Sequence, residues 1–72
     1  MDQAIHPIDD CCEILRTRGW VFRESAANDP NHPEYWNIDC MSGNKSFAIL
    51  APVRSEAWNL AVREVLRIHA DQ

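Results

Sequence analysis

The chain is poor in glycine, with only 2 residues among 72. A loop that cradles phosphate needs several glycines, so this composition excludes the common nucleotide-binding loops. Basic residues are also few, because 7 lysines and arginines face 11 aspartates and glutamates and leave a net charge of −4. Gripping a nucleic-acid backbone requires clustered basic side chains. The charge therefore argues against a nucleic-acid partner and is compatible with a basic protein as the partner, or simply with solubility.

No apolar run is long enough to span a bilayer, so we expect no membrane association. The first residues have neither the basic region nor the hydrophobic region of a signal peptide, and we expect a cytoplasmic location. The chain has 3 cysteines, an odd number, and we expect them to be reduced thiols. None of the cysteines and histidines has the paired spacing of a structural zinc site, so we expect neither a metal nor another cofactor.

The first helix is predicted to follow a loose start at residues 1–6, with Pro7 at its first helical position. Gly19 is a natural left-handed stop, after which Trp20 can fold back onto the helix. Apolar residues keep helical spacing at Ile8, Cys11, Cys12 and Leu15.

Three strands are predicted where aromatic and β-branched residues alternate with polar ones, over residues 20–24, 35–41 and 47–51. Residues 25–34 contain two prolines and two asparagines and are predicted to form a loop. Residues 42–45 carry the signal of a tight turn, so the second and third strands should form a hairpin.

Residues 55–69 predict the longest helix, with Ser55 as its N-cap. At about 100° per residue, one face of this helix is mostly apolar and contains Trp58, Ala61, Val62, Val65, Leu66 and His69. Leu60 lies outside this face and is expected to be exposed.

The order helix–strand–strand–strand–helix, with short connections, predicts one α+β domain over residues 1–72. Its architecture should be a small two-layer domain in which an antiparallel three-stranded sheet carries both helices on one face. The polar alternation of the middle strand predicts that the opposite sheet face meets solvent. The helix-facing side should consist of Trp20, Phe22, Trp36, Ile38, Cys40, Phe47 and Ile49.

The solvent-facing side of the sheet is the candidate functional site, because the sequence contains no catalytic constellation. Tyrosine, methionine and arginine are enriched where proteins meet, and this side carries all three. We expect a non-enzymatic module that binds a protein partner here, the alternatives being a homodimer that uses this side or Leu60, or an ordinary solvated surface. The predicted partner-binding residues are Arg23, Tyr35, Asp39, Met41 and Leu50, with Val21 and Ala48 on the same side.

Two further alternatives involve chemistry. A thiol or metal site could pair Cys40 with His32, although Cys40 shares a strand side with apolar residues and is expected in the core. The element order also resembles the double-stranded RNA-binding domain, whose second helix opens with a pair of basic residues. This chain has Arg54 and Glu56 there, so its binding surface for RNA would be degenerate.

Three stretches carry a shared pattern: residues 14–20 (Ile-Leu-Arg-Thr-Arg-Gly-Trp), 35–38 (Tyr-Trp-Asn-Ile) and 55–58 (Ser-Glu-Ala-Trp), with Ala61. In this pattern most of the chain, roughly residues 8–68, resembles the phage ABA sandwich domain, a small domain of bacteriophage and prophage proteins. It implies a small protein of a phage or mobile element. Short acidic proteins of such elements often bind host proteins, including those that handle nucleic acids, which suggests inhibitory mimicry.

Overall fold

The computed structural model describes residues 6–26, 31 and 34–70. Two helices flank three strands in the described part of the chain. The elements are α1 (Ile8–Thr17), β1 (Val21–Ala26), β2 (Trp36–Ser42), β3 (Lys45–Ala51) and α2 (Arg54–Ala70). The predicted helix–strand–strand–strand–helix order is therefore confirmed.

The end of α1 follows from the chemistry of one glycine. Gly19 has φ +81°, a backbone conformation that residues with a Cβ atom rarely adopt. It allows the Gly19 N–H to bond the Arg16 carbonyl and the Trp20 N–H to bond the Leu15 carbonyl, at 3.1 and 3.0 Å. This pair of bonds is the Schellman motif, with Gly19 as the predicted left-handed stop. α1 begins at Ile8, so Pro7 is its N-cap and not its first helical residue as predicted.

The sheet is antiparallel in the order β1-β2-β3. β2 and β3 form a hairpin in which Ser42 pairs with Lys45 across a two-residue turn. Gly43 takes φ +61° in this turn, as a type II′ turn needs at its first central position. The bounds of each strand differ slightly from the predicted ones. Pairing extends β1 to Ala26, into the predicted loop, and starts β3 already at Lys45. The remaining residues of that predicted loop lie mostly outside the described residues.

Both helices pack on the same side of the sheet, which confirms the two-layer α+β architecture. α2 lies across β2 and β3, while α1 lies against α2 and β1. Aromatic contacts join the sheet to α2, since the ring centroids of Phe22 and Trp58 are 5.2 Å apart and those of Trp20 and His69 are 6.3 Å apart. The buried core consists of Cys11, Leu15, Trp20, Ile38, Cys40, Ala51, Ala57, Trp58, Ala61, Val62 and Val65.

The buried face of α2 differs from the predicted one. Ala57 is fully buried, Leu60 is partly buried, and Leu66 is 41% exposed, so the expectations for Leu60 and Leu66 were wrong. The reason is that α2 contacts α1 as well as the sheet, and this second contact turns its buried face away from Leu66. Ser55 is not the N-cap either, because the first helical bond runs from the Ala57 N–H to the Val53 carbonyl.

The end of the predicted loose start is held in place. The His6 N–H donates to Asn59 Oδ1 at 2.8 Å, and Asn59 Nδ2 donates to the His6 carbonyl at 3.0 Å. These reciprocal bonds join the segment before α1 to α2. Residues 1–5 lie outside the described residues.

Candidate protein-interaction surface

The side of the sheet opposite the helices is a regular array of side chains from all three strands. In the strand register, Arg23 lies opposite Asp39 and Asp39 lies opposite Ala48, with equivalent rows on either side. We call this array the open sheet face, and it comprises Val21, Arg23, Ser25, Asn37, Asp39, Met41, Ser46, Ala48 and Leu50. All nine residues are exposed except Asn37, which is partly buried.

Three large apolar side chains of the open sheet face are left in solvent. Val21 is 65% exposed, Met41 is 54% exposed and Leu50 is 49% exposed. Val21 and Met41 are direct cross-strand partners, so they form a continuous apolar patch at one end of the face. Single exposed apolar residues are common, whereas adjacent ones on a rigid sheet mark a surface suited to association.

Two opposite charges occupy the middle of the face. Asp39 accepts a hydrogen bond from Asn37 Nδ2 at 3.1 Å. Arg23 lies opposite Asp39 in the register, yet within the described part of the chain its guanidinium forms no ion pair. The donors of this guanidinium therefore remain available to carboxylate or carbonyl oxygens of a partner.

An open depression of about 570 Å³ lies along the face and is lined by residues of all three strands, among them Val21, Arg23, Met41 and Ala48. Sites for small molecules are concave and bury most of the ligand surface. This depression is open to solvent and lies over a sheet, so it suits a protruding side chain of another protein better than a cofactor.

Four of the five predicted binding residues lie together on the open sheet face, namely Arg23, Asp39, Met41 and Leu50. Tyr35 precedes β2 and is partly buried, so it is not part of the strand array as predicted. The prediction missed Ser25 and Ser46 because it assigned them to the loop and to the residues before the third strand. The pairing rule for a two-residue turn would have placed Ser46 opposite Met41.

The thiols are poorly suited to nucleophilic chemistry. Cys40 is 2% exposed, and burial raises the pKa of its thiol to about 11. Burial also raises the pKa of the Cys11 and Cys12 thiols. The thiolate is the nucleophile and the metal ligand, and these pKa values keep it scarce at neutral pH. His32, the other half of the predicted pair, lies outside the described residues, and no cluster of three potential metal ligands occurs among those described.

The basic residue at the start of α2 is engaged within the domain. Arg54 Nε and Nη2 donate to the two carboxylate oxygens of Glu24 at 2.6 and 2.9 Å. The same guanidinium lies 5.8 Å from the centroid of the Trp36 ring. Trp58 Nε1 completes the arrangement by donating to Glu24 at 3.0 Å. Arg54 therefore stabilises the fold. The alternative of double-stranded RNA binding needs a basic side chain at this position that is available to phosphate, and Arg54 is already bonded to Glu24.

The fold and the surface define a small α+β domain with helices on one side of its sheet and a solvent-facing array on the other. No family model, curated protein or solved structure matches the chain in comparisons with known proteins. Among the described residues, no helix combines the length and apolar character needed to cross a membrane.

Proposed function

We propose that the chain is a non-enzymatic interaction module that binds a protein partner through the open sheet face. The observation that supports this proposal most directly is the exposed Val21–Met41 pair beside the guanidinium of Arg23, which forms no ion pair with any described residue. Interfaces commonly combine an apolar centre with an arginine anchor. A sheet backed by two helices presents these groups at fixed positions, which lowers the entropy lost on binding.

The chemistry of the face describes the proposed partner. An apolar side chain of the partner would occupy the depression beside Val21 and Met41, and a carboxylate or carbonyl oxygen would accept from Arg23. The net charge of −4 adds long-range attraction toward a basic protein, which acts chiefly on the rate of encounter. The resemblance to the phage ABA sandwich domain extends the proposal to a host protein as the partner. A cytoplasmic location is a separate part of the proposal.

The test is affinity capture from extracts of the source cells, followed by measurement of the dissociation constant for the recovered protein. The double variant Val21→Ser with Met41→Gln removes the apolar patch without touching the core. Each lost apolar contact is worth about 1 kcal/mol, so binding should weaken about tenfold or more. Leu66→Gln is the matched control, because Leu66 is exposed on the helical side of the molecule.

The proposal requires a partner that is lost with the double variant and retained with Leu66→Gln. Circular dichroism and urea denaturation should show that both variants fold, because all three changed side chains are exposed. Equal binding by the double variant, or loss of binding with Leu66→Gln alone, would assign the interaction to another surface and refute the proposal.

A further inference from the structure

β3 is an edge strand with unusual composition. It pairs with β2 on one side, and no strand of the described chain pairs with its other side. From Ser46 to Ala51 this strand carries no charged residue. The opposite edge strand, β1, contains Arg23 and Glu24. Charged side chains are a common device that keeps sheet edges from pairing with other chains, and β3 has only Lys45 at its start.

The register identifies the backbone groups that β3 leaves unpaired. Ser42 and Lys45 flank a two-residue turn and therefore exchange hydrogen bonds with each other. Antiparallel bonding alternates along the strand, so Phe47 and Ile49 also bond β2. The N–H and carbonyl groups of Ser46, Ala48 and Leu50 then point away from the sheet, and all three residues are exposed.

The helical layer leaves this edge incompletely covered. Phe47 and Ile49 point toward the helices but remain partly exposed. Their neighbours on β2, Cys40 and Ile38, are 2% and 0% exposed. An additional strand beside β3 would bury more of both side chains as well as pair the free backbone groups.

We propose that a second copy of this chain pairs antiparallel with the β3 edge and forms a continuous six-stranded sheet about a two-fold axis at Ala48. Ala48 would then exchange bonds with Ala48 of the second copy, and Ser46 with Leu50 of the second copy. Three bonded pairs supply about six backbone hydrogen bonds. On the helical side, Phe47 would lie beside Ile49 of the second copy, which covers both.

The charge pattern favours a second copy at this edge. In the proposed register Lys45 lies opposite Ala51 of the second copy, so no like charges face each other. The same operation on β1 about Glu24 would oppose two carboxylates, and about Arg23 it would oppose two guanidinium groups. Side-chain charge therefore does not oppose a second copy at the β3 edge in this register. The net charge of −4 on each copy adds repulsion that salt screens, so the dimer should strengthen as salt concentration rises.

The inference is independent of the proposed function. Strand addition uses the backbone of β3, whereas partner binding uses side chains of the open sheet face, and the dimer would place two open faces side by side. The double variant Val21→Ser with Met41→Gln should therefore dimerise like the wild type. This result separates failure of one proposal from failure of the other.

Sedimentation equilibrium over a concentration series tests the dimer. Ala48→Lys would place two ammonium groups opposite each other at the two-fold axis, and we expect its dimer dissociation constant to rise at least tenfold. Ser25→Lys is the matched control, because it adds the same charge at an exposed position on β1 and should dimerise like the wild type. A monomeric wild type, or equal effects of the two substitutions, would overturn the proposal.

Amide hydrogen exchange measured by NMR gives a second readout that needs no substitution. The amides of Ser46, Ala48 and Leu50 should exchange more slowly as protein concentration rises. The amides of Phe47 and Ile49 are already bonded to β2 and should change less. A dimer that forms without this alternating protection along β3 would have to use another surface, and strand addition would be excluded.

Discussion

At the scale of single residues, the carboxylate of Glu24 joins β1 to α2. It belongs to β1, accepts two bonds from Arg54 at the start of α2, and accepts a third from the buried Trp58. These hydrogen bonds, that from Arg54 above all, lower the pKa of Glu24. A group whose pKa is lowered by folding stabilises the native state above its unfolded pKa and loses that contribution as pH falls.

Glu24→Gln should therefore lower the free energy of unfolding at about pH 7 and reduce its change between about pH 5 and pH 3. Urea denaturation at several pH values measures both effects. Glu64→Gln is the control, because Arg67 also lowers the pKa of Glu64 but the pair lies within one turn of α2 and the arginine is largely in solvent. Its effect should be smaller. Equal pH profiles for Glu24→Gln and the wild type would contradict the assignment.

The three thiols should differ in reactivity despite their similar chemistry. Cys12 is partly exposed, whereas Cys11 and Cys40 are buried. We expect one faster and two slow phases when the native protein is treated with a disulfide reagent at neutral pH, because the buried thiols react only when the fold opens. Cys12→Ser should remove the faster phase alone. Three equal rates in the native protein would contradict the burial described here.

At the scale of the element, α1 depends on the left-handed conformation of Gly19. A Cβ at this position would meet no atom within 4 Å, so the cost of Gly19→Ala lies in the backbone conformation alone. We expect a loss of roughly 1–2 kcal/mol in the free energy of unfolding. Gly19→Asn should lose less, because asparagine tolerates this region. Urea denaturation compares the two, and equal stability of wild type and Gly19→Ala would contradict the argument.

The sequence predicted some bounds of the helices and strands and missed others. The end of α1 and the β2–β3 turn were predicted because each depends on a glycine with positive φ. The end of β1 was not, because Ser25 and Ala26 have weak strand preference and are extended by pairing with β2. The start of α2 was also missed, since Ser55 is a good N-cap by type but lies inside the helix.

At the scale of the whole molecule, stability depends on a small core centred on β2. Ile38 is fully buried between the strands and the helices. Ile38→Ala should cost about 2–5 kcal/mol, which is a large share of the roughly 4–11 kcal/mol expected for a domain of this size. Leu66→Ala should change the free energy of unfolding by less than about 0.5 kcal/mol, because Leu66 is exposed. Urea denaturation of both variants checks the prediction, and similar losses would contradict the buried face assigned to α2.

The sequence by itself determined the element order, the end of α1 and the side of the sheet on which most residues of the predicted strands lie. These properties follow from local chemistry, namely the conformational freedom of glycine and the two-residue period of a strand. Four of the five predicted binding residues share the open sheet face for the same reason. Only the tertiary structure decided which side of α2 is buried, that Glu24 binds Arg54 and Trp58, and which sheet edge is poor in charge and incompletely covered. Those features depend on which surfaces meet, and residues as far apart as Glu24 and Trp58 meet only after the chain has folded.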